Sequence, residues 1–107
     1  MLRIIPILFF LLSAHAIAGS WSGVREVTKL YVRGDVPGIY FQLSGGFVNP
    51  AECGTEDYYI ISVTNPMHKE LFSMLLAAKK SSTSVSVYVD GCEYGRPQAY
   101  SIIEPTQ

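Results

Sequence analysis

The chain has 107 residues, of which 49% are hydrophobic and only 16% charged, with nine acidic residues against eight basic ones. That length holds one small domain. The slight negative balance argues against nucleic acid, which needs a basic patch, and against an electrostatic membrane anchor.

The first element in chain order is an export signal. Arg3 precedes an apolar run from Ile4 to Leu12, and Ala16-Ile17-Ala18 supplies a small-x-small exit. A basic start, a short apolar stretch and small residues at the exit describe a secretory signal peptide. The run is shorter than the roughly 20 apolar residues of a membrane span. Cleavage is expected after Ala18, giving 1-18 as signal peptide and 19-107 as one mature domain, secreted or periplasmic, with no membrane span after cleavage. Without Arg3, seven basic residues face nine acidic ones. A domain of this size buries only about 60–65% of its unfolded surface, so extra stabilisation from a disulfide or from oligomerisation is expected.

The mature chain opens on Trp21 to Arg33, rich in Val, Thr, Tyr and Leu, and Gly34-Asp35-Val36-Pro37-Gly38 turns it. In the next strand Ile39, Phe41 and Leu43 share one face, and Phe47 to Glu56 reads as a loop. Tyr58 to Val63 is apolar on both faces and is expected to be central. The period then changes. Asn65-Pro66 predicts a helix start, and Met67, Leu71, Met74, Leu75 and Ala78 fall on one helical face that Phe72 and Leu76 widen. Lys79-Lys80 suit the negative end of its dipole. Beyond it Val85, Val87 and Val89 alternate with Ser86, Tyr88 and Asp90, a turn is expected over Asp90–Pro97, and Gln98 to Ile103 forms the last strand.

The predicted fold is therefore mainly β with one helix, in the order β-β-β-α-β-β. A five-stranded OB-like barrel has that order, with the helix between the third and fourth strands. An open α+β sheet covered by one helix is the second arrangement that fits. Closure is favoured because five short strands in an open sheet leave exposed edges.

Cys53 and Cys92 are the only cysteines, and export puts them in an oxidising compartment. The one intramolecular pairing, Cys53–Cys92, is expected; two free thiols and intermolecular bridges are the alternatives. No metal site is expected, because two cysteines supply half a tetrahedron and His68, the sole mature histidine, falls on the helix. Asp90 and Glu93 make an incomplete oxygen shell for calcium. No cofactor is implied.

Two resemblances enter on particular residues. Asn49-Pro50-Ala51-Glu52-Cys53-Gly54-Thr55, Tyr58-Tyr59, the run Lys69 to Lys79, Val89-Asp90-Gly91-Cys92 and Gly95-Arg96-Pro97 resemble a group of small secreted proteins of Gram-negative bacteria that brings little biochemistry with it. The start Trp21-Ser22-Gly23-Val24, the Tyr40-Phe41 strand, the helix and the Val85 to Tyr88 strand are more distantly similar to the B subunit of subtilase-type AB toxins, although the cysteine placement differs. That family implies an OB barrel, a pentameric ring, binding of sialylated glycans and a catalytic A subunit as partner. Its glycan-contacting serine in an aromatic-Ser-Gly start falls on Ser22.

Catalytic residues are not expected. Ser22 and Ser73 have no visible base to activate them, and adjacent Glu56 and Asp57 on a strand start point to opposite faces. Tyrosine carries more information: Tyr31, Tyr40, Tyr58, Tyr59, Tyr88, Tyr94 and Tyr100 all lie in the mature chain. Tyr40 and Tyr88 oppose the apolar alternation of their strands, so they are expected to face outward, where a ring with a hydroxyl suits a protein interface or a sugar. Trp21 is expected either to plug the barrel or to act as a platform. Arg96 offers a bidentate fork to a ligand carboxylate, or a structural ion pair with Glu93 or Asp90. The expected function is a secreted, non-enzymatic binding module, a glycan-binding subunit with Ser22, Tyr88 and Arg96 at its ligand site. A free-standing secreted or periplasmic domain that binds a protein or small ligand is the alternative. If Ser22 serves no ligand, a solvated hydroxyl on a frayed terminus is expected.

Overall fold

The computed structural model describes residues 19–105, so the expected signal peptide at 1-18 lies outside the described residues. Its elements are β1 (Ser20–Trp21), β2 (Val27–Arg33), β3 (Gly38–Leu43), β4 (Tyr59–Ile61), α1 (His68–Ser81), β5 (Ser86–Glu93) and β6 (Arg96–Ile103). The chain is mainly β with one helix, as its patterning predicts. The strands form one six-stranded sheet in the order β1-β5-β6-β4-β3-β2. Every neighbouring pair is antiparallel except β4 and β6.

Two expectations change here. The sheet has six strands instead of five, and its ladders end at β1 and β2 instead of closing. Both differences have one local cause. The run predicted as a single strand, Trp21 to Arg33, breaks at Gly23, whose φ of +82° suits a residue without Cβ. Before the break the chain pairs with β5, with Trp21 opposite Tyr88. Arg25 then bridges Val85, and from Val27 onward the chain pairs with β3 instead.

The predicted turn at 90–97 contracts to two residues. Tyr94 and Gly95 both take positive φ, the conformation of a tight hairpin turn, so β5 extends to Glu93 and β6 begins at Arg96. Gly91 (φ +73°) sits where the β5–β6 register slips between Val89 and Cys92.

The helix begins three residues after Asn65. The Asn65 side chain accepts the Met67 N–H at 2.8 Å in a turn with Pro66 at its middle, and α1 starts at His68. Leu71, Leu75 and Ala78 are buried, whereas Met67 and Met74 of the expected apolar face are exposed. One core forms from these helix residues, Ile39, Phe41, Tyr59 and Ile61 of β3 and β4, Val85 just before β5, and Val87, Val89, Ala99 and Ile102 of β5 and β6.

The two halves of the sheet meet at a thin seam. β4 and β6 share a single register pair, Ile60 opposite Gln98. The loop before β4 reinforces it: Cys53 is bonded to Cys92 with Cα atoms 5.7 Å apart, and the Thr55 N–H donates to the Gly95 carbonyl at 2.9 Å. Closing a loop of this length constrains the unfolded chain by about 3.5–4 kcal/mol in the chain-entropy model. The Cys53→Ala/Cys92→Ala double variant is therefore expected to lose about 3 kcal/mol or more, read as a lower urea midpoint, with a steeper slope because its unfolded state is less constrained. An unchanged midpoint would show that the tertiary contacts suffice without the bond.

Candidate functional site

The strands present two aromatic surfaces on the side of the sheet away from the core. The first lies on β1 and β5. Val87 and Val89 point into the core, so Tyr88 between them faces outward, and its cross-strand partner is Trp21. The two rings sit 5.3 Å apart at 57°. Trp21 is 47% exposed, so it does not plug the core. Gly19 packs on the Tyr88 ring, which an added Cβ would approach to 2.8 Å.

Ser22 follows directly, and it is not frayed. It is only 5% exposed. Its backbone N–H donates to the Val87 carbonyl at 2.8 Å, its hydroxyl accepts the Val87 N–H at 3.0 Å, and the same hydroxyl donates to the Gly23 carbonyl at 2.8 Å. The hydroxyl thus takes over part of the β1–β5 ladder where Gly23 diverts the chain.

The second surface spans β2, β3 and β4. Tyr40 is outward in alternation, since its neighbours Ile39 and Phe41 belong to the core, yet it is 0% exposed. Other rings and cations cover it. Tyr31 stacks on Tyr40 at 5.3 Å and Tyr58 stands edge-on at 6.3 Å. The Arg96 and Arg33 guanidiniums lie 5.2 and 5.5 Å from the Tyr40 centroid, within cation–π range. The Tyr40 hydroxyl donates to the Val36 carbonyl at 2.8 Å. Burial raises its pKa above the ordinary tyrosine value, against the lowering pull of Arg96 and Arg33.

Each guanidinium is gripped by a carboxylate. Arg96 donates from Nε and Nη2 to both oxygens of Asp57, at 2.8 and 3.0 Å. Asp57, and neither Glu93 nor Asp90, is thus its ion-pair partner. Arg33 makes the same fork to Asp35 at 3.1 and 2.8 Å. Hydrogen bonding from Arg96 holds the Asp57 carboxyl below its ordinary value, and Arg33 holds Asp35 well below the carboxylate range.

Tyr88 lies on the first surface with Ser22 buried beside it in the β1–β5 ladder, while Arg96 belongs to the second. Tyr88 pairs with Ser101 toward one end of the β5–β6 hairpin, and Arg96 pairs with Glu93 at its turn. Composition arguments missed Lys29, Arg33 and Asp57. The i, i+2, i+4 spacing of Lys29, Tyr31 and Arg33 would put all three on one strand face, and that signal was available. Among the described residues, no three His, Cys, Asp or Glu side chains converge, and no helix is long and apolar enough to cross a membrane. No family model, curated protein or solved structure matches the chain.

Two outcomes are expected. Ser22→Ala strands the buried Val87 N–H and costs about 1–3 kcal/mol of stability, measured by urea unfolding; no loss would mean that the hydroxyl is dispensable to the ladder. Asp57 binds fewer protons folded than unfolded, so the stability it contributes is present above about pH 4 and disappears as pH falls through its lowered folded value. As a half-exposed pair it contributes no more than about 1 kcal/mol. Asp57→Asn should reduce the fall in urea midpoint between pH 7 and pH 3; an identical fall would remove Asp57 from the acid response.

Proposed function

We propose that the protein is an exported, non-enzymatic binding module whose Trp21–Tyr88 surface takes a glycan, in the manner of AB-toxin B subunits. The observation that carries this reading is the exposed Trp21 paired with Tyr88 beside the anchored Ser22. A half-exposed indole backed by a second ring is a stacking face for a sugar. Ser22 gives its one hydroxyl proton to the Gly23 carbonyl, so it anchors this surface and has no donor left for a sugar carboxylate. Arg96 stands apart from this surface and serves Asp57 instead.

An OB-like reading of the fold supports the same conclusion. Residues 20–33 serve β5 with their first part and β3 with their second. Taken as one bent strand, that run occupies both edges of the sheet. The parallel β4–β6 pair and the helix between β4 and β5 agree with such a barrel. A ring of identical subunits, with five as the first expectation, would cover the exposed Met74 and Leu76 of α1 and Met67 just before it. The disulfide agrees with a secreted or periplasmic location. A catalytic A subunit is the expected partner only under the toxin-like reading.

A glycan array probed with the folded mature protein tests the function. Sialoglycan signal that Trp21→Ala and Tyr88→Ala each reduce at least tenfold is expected. Absence of any glycan signal would reject the reading and favour a protein- or small-ligand-binding domain. Light scattering at micromolar concentration tests the ring, and a mass of one mature chain would reject it.

A further inference from the structure

We propose that the outer face of β2, β3 and β4 is a second ligand surface, separate from Trp21–Tyr88, and that it takes a carboxylated sugar. The surface is built around a tyrosine hidden on the side of the sheet that faces away from the core. Tyr40 is covered by two rings and two guanidiniums instead of aliphatic side chains. That cover leaves directional polar groups at the top of a fixed apolar base.

Several of those groups have no partner among the described residues. The Tyr58 hydroxyl makes no hydrogen bond there, and the Lys29 ammonium, 5.9 Å from the Tyr58 centroid, makes no ion pair. Arg33 gives its Nε and Nη2 to Asp35, which leaves Nη1 outside that fork, with the Tyr31 hydroxyl beside the guanidinium. Three cations, Lys29, Arg33 and Arg96, lie on this face; Asp35 and Asp57 pair two of them, Glu93 is the cross-strand partner of Arg96, and Lys29 alone of the three makes no ion pair among the described residues. An anionic group is therefore drawn to Lys29 on this face.

The support is rigid. Asp57 holds Arg96 through both oxygens, accepts the Tyr58 N–H at 2.6 Å, and lends its own carbonyl to the Gln42 amide at 3.0 Å. The disulfide and the Thr55–Gly95 bond fasten the same loop to the β5–β6 turn. Side chains fixed in this way spend little entropy on capture. A bare inorganic anion would use the cations and ignore the rings. A neutral sugar would use the rings and ignore the charge. A sugar ring bearing a carboxylate uses both, with its apolar face on Tyr58 and its carboxylate toward Lys29 and Arg33 Nη1.

The test is a titration of the isotope-labelled mature protein, followed by amide chemical shifts, with a glucuronate-containing disaccharide. Its carboxyl methyl ester and inorganic phosphate are the comparison probes. Saturable shifts at Lys29, Tyr31 and Tyr58 with an affinity near 1 mM are expected, weakened about tenfold both by the methyl ester and by Lys29→Gln. Lys29 is exposed, so this variant leaves the packing intact. Trp21→Ala should leave the titration unchanged, which separates this surface from the first one. No shifts at these residues, equal shifts with the ester, or equal shifts with phosphate would each overturn the proposal. Shifts confined to Trp21 and Tyr88 would also overturn it, and would assign the acidic sugar to the first surface.

Discussion

The seam between β4 and β6 is the constraint on which the rest of the structure depends. On one side of it lie β1, β5 and β6, and on the other β4, β3 and β2. A parallel contact with one register pair is a weak joint by itself. Three further links fall within a few residues of it: the Cys53–Cys92 bond, the Thr55–Gly95 hydrogen bond and the Asp57–Arg96 fork. The chain thus spends its disulfide and one of the two ion pairs among the described residues where the strands are least able to hold themselves. Asn49 tightens the loop from within. Its side chain donates to the Cys53 carbonyl and accepts the Cys53 N–H.

The same links place the second aromatic surface. Asp57 orients Arg96 over Tyr40, and Tyr58 follows Asp57 directly in the chain. Stability of the seam and geometry of the surface are therefore one problem. The first surface is solved differently, by a serine standing in for a backbone ladder. Ser22 lets the chain leave β5 at Gly23 while Trp21 stays registered against Tyr88.

Much of this was legible in the residues. The alternation of Val85, Val87 and Val89 located β5, and the spacing of Leu71, Leu75 and Ala78 located the buried side of α1. The disulfide was the one intramolecular pairing that two cysteines allow. The break at Gly23 was not legible, because a single glycine in a β-rich run is equally compatible with a continuous strand. Met67 and Met74 matched the helical period but lie beyond the arc that the sheet covers. The outward alternation of Tyr40 was readable, but its complete burial depends on rings and guanidiniums brought from β2, β6 and the loop. The partner of Arg96 was unreadable for the same reason. Asp57 is distant in sequence and reaches Arg96 only through the seam, whereas Glu93 and Asp90 are near in sequence and do not pair with it.

Amide hydrogen exchange on the native protein and on the Cys53→Ala/Cys92→Ala variant tests the seam most directly. Exchange should rise first at Tyr59–Ile61 and Gln98, while the β2–β3 ladder and the center of α1 keep their relative protection. Protection that falls uniformly across all strands, or does not fall at Tyr59–Ile61, would contradict the claim that the two half-sheets depend on this joint.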